Sequence, residues 1–86
     1  MQFTWSKECK STYLKLSRKL QERTNERLEL FAADPFHPML NNHKLVGSYA
    51  GYRSINLTGD YRLVFEQVDE TTVFLCVIGT HSQLYE

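Results

Sequence analysis

The sequence predicts a two-layer α+β fold, and three observations carry that reading. Apolar residues step by threes and fours through the first third of the chain. They alternate by twos from residue 52 onward. A stretch rich in turn-forming residues separates the two regimes. The implied order is an N-terminal strand, a helical hairpin and then a three-strand antiparallel meander. At 86 residues, one domain spanning 1–86 with one core is all the chain can build.

Gln2 to Trp5 sets Phe3 and Trp5 on one side, a short strand. Ser6 then suits an N-cap, its hydroxyl placed to accept from a free first-turn amide. Cys9, Tyr13, Leu16 and Leu20 share one helical face, with Lys7, Lys10, Lys15 and Arg18 round the back. Leu14 falls among those basic residues, either an ordinary exposed leucine or part of a partner contact. Arg23-Thr24-Asn25 interrupts the stripe, and Thr24 or Asn25 would cap a second helix with Leu28, Phe31 and Ala32 as its apolar face. Pro35 disfavours helix at Asp34 and ends it. Asp34 to Gly51 reads as one long loop holding both prolines, His37 and His43.

In Tyr52 to Thr58, Ile55 and Leu57 face one way, with Ser54, Asn56 and Thr58 facing the other. Gly59-Asp60 turns the chain into Tyr61 to Gln67, where Tyr61, Leu63 and Phe65 oppose Arg62, Val64 and Glu66. Val68 to Thr71 makes a second hairpin turn, and Thr72 to Ile78 is apolar on both sides, as a buried strand should be. The helices are expected to cover the face bearing Ile55, Leu57, Leu63 and Phe65. The opposite face, with Asn56 and Arg62, is expected to stay open.

Composition excludes several classes. Net charge is zero, with eight Lys/Arg against five Asp/Glu in residues 1–45 and two against five in residues 46–86. A domain that binds nucleic acid by charge alone is strongly basic, and this one is not. No run approaches the ~18 apolar residues of a membrane span. The N-terminus lacks the basic-then-apolar layout of a signal peptide. Cys9 and Cys76 lie far apart at positions that read as core-facing, without CxxC spacing. A reduced, cytoplasmic protein is the expectation.

His37, His43 and His81 have no metal-ligand spacing, and there is no phosphate-cradling glycine loop or GxSxG elbow. No metal and no cofactor are implied. What remains is a polar set: His43, Arg53, Asp60, Tyr61, Arg62, His81 and Tyr85, mostly at loop-to-strand joints. The tail Gly79 to Tyr85 is notable because a buried strand delivers groups suited to proton transfer and stacking. On chemistry alone, a single histidine such as His81 is more often a satisfied surface residue. Arg53 shares strand parity with Ile55 and Leu57, so an edge-snorkelling role stands beside phosphate binding. Asp60 suits the turn for its geometry alone, and Tyr61 suits a core.

Five stretches in order carry a family resemblance: Asp34-Pro35-Phe36-His37-Pro38, Asn42-His43-Lys44-Leu45-Val46-Gly47, Gly51-Tyr52-Arg53-Ser54, Gly59-Asp60-Tyr61-Arg62-Leu63-Val64-Phe65, and Ile78-Gly79-Thr80-His81-Ser82-Gln83-Leu84-Tyr85. Together they resemble the RelE/YafQ toxins of the RelE/ParE superfamily, ribosome-dependent mRNA endonucleases of type II toxin–antitoxin modules. The last stretch resembles the YafQ-like branch most. The resemblance implies a RelE-like, microbial-RNase-like fold and metal-independent cleavage by 2′-hydroxyl attack in the ribosomal A site. It implies catalytic roles for His43, Asp60, His81 and Tyr85, and substrate binding by Arg53, Asn56, Tyr61 and Arg62. Asn56 departs from the pattern, because some YafQ-like members have a catalytic histidine there. Asparagine cannot shuttle protons near neutral pH, which leaves proton transfer to His43, Asp60 and His81. Histidine suits either proton role, with a reference pKa of ~6.5. The implied partners are a cognate antitoxin and the 70S ribosome with mRNA in its A site, with operator DNA reached only through the antitoxin. The antitoxin would cover the open sheet face and the basic helix back near Leu14. Two alternatives stay open: a ParE-like gyrase inhibitor, against which the Gly-Thr-His motif argues, and a catalytically weak relative acting in antitoxin binding and operon autoregulation.

Overall fold

A computed structural model describes residues 1–85, leaving Glu86, the last residue of the expected 1–86 domain, outside the described residues. The chain runs β1 (Gln2–Trp5), α1 (Lys7–Lys15), α2 (Arg18–Ala33), β2 (His43–Lys44), β3 (Arg53–Asn56), β4 (Tyr61–Gln67), β5 (Thr72–Thr80) and α3 (His81–Tyr85). Single 3-10 turns at Pro38–Leu40 and Gly47–Tyr49 flank β2. The fold is the expected α+β, with differences that matter for the site.

Ser6 caps α1 as expected. Its Oγ accepts from the Cys9 amide at 2.9 Å and donates to the Cys76 carbonyl of β5 at 2.6 Å, fixing the helix to the sheet. The break between the helices falls at Leu16-Ser17 and not at residues 23–25. Leu16 is extended (φ −67, ψ 153), and Ser17 Oγ accepts from the Leu20 amide to start α2. Thr24 sits mid-helix and buried, its hydroxyl satisfied by donating to the Leu20 carbonyl at 2.8 Å. Gln21 Nε2 donates to the Tyr13 carbonyl and ties the two helices together. Leu28 and Phe31 face the core, whereas Ala32 is exposed.

The sheet has five strands in the order β1-β5-β4-β3-β2. The expected long loop contains one of them: β2, only two residues long, pairs His43 with Ser54 and Lys44 with Arg53. β1 lies parallel to β5, from Gln2 opposite Thr72 to Trp5 opposite Leu75, and every other pairing is antiparallel. Opposed residues share a face. Arg53, Phe65 and Leu75 therefore line one side with Ile55, Leu63 and Ile78, and His43, Ser54, Val64 and Val77 line the other.

α1 and α2 cover the first side. Phe31 lies 4.8 Å from Phe65 and 5.9 Å from Phe3, centroid to centroid, with Cys9, Leu40, Ile55, Leu63 and Leu75 sealed around them. Burial pushes the Cys9 thiol up to about 12. Cys76, expected to be in the core, is half-buried at an irregularity in the β4–β5 register. The second side was expected to stay open, but part of it is covered by α3. No helix among the described residues is long and apolar enough to cross a membrane.

Candidate active site

β5 runs two residues beyond its apolar stretch and turns at once into α3. The turn is a capping box: Thr80 Oγ1 accepts from the Gln83 amide at 3.2 Å, and Gln83 Oε1 accepts from the Thr80 amide at 2.8 Å. The pattern Thr80-x-x-Gln83 is visible in the sequence, and it is the signal that could have marked the tail as helical. Leu84 is buried and packs back on Gly79, where an added Cβ would lie 3.0 Å from Leu84 Cδ2. A side chain there would press on Leu84 and Gln83, so glycine lets α3 fold closely onto its own strand.

This fold-back puts Tyr85 over the second side of the sheet. Its hydroxyl donates to the buried Ser54 Oγ at 2.9 Å. Its ring meets that of His81 edge-on at 4.8 Å and that of Tyr49 at 6.3 Å. His43 stands opposite Ser54 in the sheet register. His43, Lys44, Tyr49, His81 and Tyr85 line a single recess of about 510 Å³. Both histidines are exposed, so each can reach a ligand in it.

His43 Nδ1 lies 2.8 Å from the Asn41 carbonyl, which can only accept, so Nδ1 carries the proton. In the neutral ring Nε2 then keeps its lone pair. Asn41 reaches this position in the left-handed region, at φ 47, a conformation asparagine tolerates better than most residues. His81 is anchored through its backbone, its amide donating to the Asp60 carbonyl at 3.0 Å. Lys44 borders the recess, but it stands opposite Arg53, so its side chain belongs to the helix-covered side.

The structure brings together three of the residues singled out from sequence: His43, His81 and Tyr85. Asp60 reaches them through its main chain, and its carboxylate is not part of the recess wall. Arg62 and Asn56 face each other across β3 and β4 on the same side of the sheet, outside the recess. Arg62 Nη1 donates to the carbonyls of Thr58, Gly59 and Tyr61, bracing the β3–β4 turn. Arg53 and Tyr61 lie on the helix-covered side. Arg53 Nε donates to Asn42 Oδ1 at 2.8 Å, its guanidinium sits 5.5 Å from the Phe36 ring centre, and Asn42 in turn holds the Pro35 carbonyl. That network fastens the 34–42 segment to the sheet. Tyr61 packs against the core. Sequence reasoning missed Tyr49 and Ser54 as site residues. Ser54 is found only through strand register, and Tyr49 only through a turn with no side-chain cap. Among the described residues, no three His, Cys, Asp or Glu side chains cluster as a metal site.

The family model described as a bacterial toxin of type II toxin–antitoxin systems, YafQ, matches residues 1–86. No curated protein matches the sequence. Among solved structures, YafQ from E. coli strain BL21(DE3) is 20% identical with a TM-score of 0.77, covering 98% of this chain and 97% of that one. The YoeB/ParE toxin from Agrobacterium tumefaciens is also 20% identical with a TM-score of 0.77, over 94% and 99% of the two chains. The E. coli DinJ-YafQ toxin–antitoxin complex matches at 22% identity and a TM-score of 0.76, over 98% and 96%.

Proposed function

Taking as premise that the chain belongs to the YafQ family of bacterial type II toxins, we propose that it is a metal-independent endoribonuclease that cleaves mRNA in the ribosomal A site. The observation that carries this reading is the pairing of His43 and His81 on one recess, with Tyr85 packed between the His81 ring and Ser54. Cleavage through the ribose needs a base for the 2′-hydroxyl, charge stabilisation at phosphorus and an acid for the leaving oxygen. His43 is the base, because its Nδ1 is occupied by the Asn41 carbonyl and its Nε2 is free to accept. As that proton moves to Nε2, the 2′-oxygen attacks phosphorus. The P–O5′ bond breaks, His81 protonates the 5′-oxygen, and a 2′,3′-cyclic phosphate remains.

Tyr49 and Tyr85 offer aromatic faces to a base. Asp60 and Arg62 act as positioning residues, one holding His81 by its carbonyl and the other bracing the turn that carries Asp60. Arg53 and Tyr61 serve the fold. Asn56 needs no proton role. The partners are the 70S ribosome, which orients the message, and a cognate antitoxin, in keeping with the DinJ-bound relative. The zero net charge fits a nuclease that relies on the ribosome for much of its docking.

Expression of the chain alone in cells, followed by mapping of mRNA 5′ ends, tests the reading. Cuts in phase with codons and dependent on translation are expected. His81→Ala should lower cleavage about 10²–10⁴-fold, with the circular dichroism spectrum unchanged. Undiminished cutting by that variant removes His81 from the mechanism. Growth arrest with intact mRNA and damaged DNA would replace this reading with gyrase inhibition. A chain with no effect on growth would be a weak relative confined to the antitoxin complex.

A further inference from the structure

Lys44 and Arg53 stand opposite each other at the edge of the sheet, one on β2 and one on β3. In the next pair along, the Leu45 amide donates to the Tyr52 carbonyl at 3.0 Å. Hydrogen-bonded and non-hydrogen-bonded pairs alternate in an antiparallel ladder, so Lys44 and Arg53 form a non-hydrogen-bonded pair, the kind whose side chains lie closest. Two positive charges so placed destabilise the sheet. No ion pair among the described residues relieves them, since those present join Arg18 to Glu22 and Arg23 to Glu26. Asp69 and Glu70 border the neighbouring recess with Arg53, but neither pairs with it, and Asp69 Oδ1 accepts from the Thr71 and Thr72 amides instead.

Both cations line a recess of about 340 Å³ at the rim of the helix-covered side, together with Leu45, Tyr52 and Gln67. The contacts that tie Arg53 to the fold also hold it still: its Nε donates to Asn42 and its guanidinium carbon lies over the Phe36 ring. Among the described residues, Nη1 and Nη2 have no protein partner, and neither is shut off from solvent. A guanidinium fixed along its inner edge and free at its two Nη groups is preorganised to receive both oxygens of one carboxylate. Leu45 and Tyr52 offer the same recess apolar walls for the methylene stem of an acidic side chain. Neighbouring residues of a strand point to opposite faces, so His43 and Lys44 look away from each other. RNA bound between His43 and His81 therefore lies across the sheet from this recess, whereas a protein chain passing the outer edge of β2 reaches both.

We infer that the Lys44–Arg53 recess takes the carboxylate of an aspartate or glutamate of the antitoxin, fastening that partner to the β2 edge directly behind His43. The inference rests on the antitoxin partnership proposed above. The antitoxin is purified out of the co-expressed complex and titrated onto the parent chain and its variants, with a short single-stranded RNA as the comparison ligand. Arg53→Lys, which keeps the charge but loses the fork, should weaken antitoxin binding about tenfold. Lys44→Glu, at an exposed position outside the core, should weaken it at least as much, and added salt should shrink the difference. Changing the antitoxin's Asp and Glu residues to Lys one at a time should yield one variant that binds Lys44→Glu better than it binds the parent.

Absence of that reversal at every acid of the antitoxin would overturn the inference. So would antitoxin affinity unchanged in both variants, or a loss confined to RNA, which would give the recess to the substrate. If the antitoxin does not bind the parent at all, the antitoxin reading fails and this inference with it. If it binds the parent and both variants alike, only this inference fails.

Discussion

The two faces of the sheet carry different loads. One is sealed by two helices and holds Phe31, Phe65, Leu63 and Leu75, none of them exposed. The other is covered in part by the five residues of α3, anchored by Leu84 and by a hydroxyl pair between Tyr85 and Ser54. The thickly covered face supplies the apolar burial that holds a small domain together. The thinly covered face leaves room for a recess with two exposed histidines. The same contrast sorts the candidate residues. Arg53 and Tyr61, on the thick side, are absorbed into packing. His43, on the thin side, is left free to meet a ligand.

Mutations should separate the two faces. Phe65→Ala, on the thick side, should lower unfolding free energy by about 3–5 kcal/mol, read by urea denaturation. A loss under 1 kcal/mol would mean that this core does not carry the fold. Gly79→Ala drives a methyl group toward Leu84 and should cost about 1–3 kcal/mol. Its more telling effect should be lost cleavage while the two-helix core keeps its signature by circular dichroism. If activity survives with α3 displaced, the recess is not the site.

Alkaline pH probes the thick face without mutation. The Cys9 thiol is pushed up to about 12 in the folded chain by burial, then by the Cys76 and Glu8 charges, from an ordinary 9.0. Above that ordinary value the unfolded thiol ionises while the folded one stays protonated, so the unfolded state binds fewer protons. Stability from this group is therefore full below pH 9.0 and is lost as pH rises toward about 12. The slope should not exceed about 1.4 kcal/mol per pH unit, and Cys9→Ala should flatten it. The smallest effect should come from Tyr85→Phe, which removes only the bond to Ser54 and should cost about 0.5–1.5 kcal/mol. A retained aromatic face with reduced cleavage would show that ring orientation matters beyond stacking.

Much of this was legible in the sequence. Alternation in Tyr61 to Gln67 gives both the strand and its inner face, and the helical stripe gives α1 and most of α2. The break between them was hidden because Cys9, Tyr13, Leu16 and Leu20 keep helical spacing straight across it. Only Ser17, three residues before Leu20, betrays it. Thr24 misled because a polar residue reads as an interruption, and its bond to the Leu20 carbonyl exists only once the helix does. β2 is too short for any periodicity, yet it sets where His43 stands. The bracing roles of Arg53 and Arg62 depend on carbonyl and amide groups that no spacing rule reports.

The parallel pairing of β1 with β5 has a consequence for how the molecule is made. Gln2 pairs with Thr72, so β1 has no neighbour until β5 has been made. Contacts of such sequence separation close slowly. Completion of the sheet edge and arrival of His81 and Tyr85 are thus nearly one event. A chain that has formed β2 but not yet β5 and α3 carries His43 without the opposite wall of the recess.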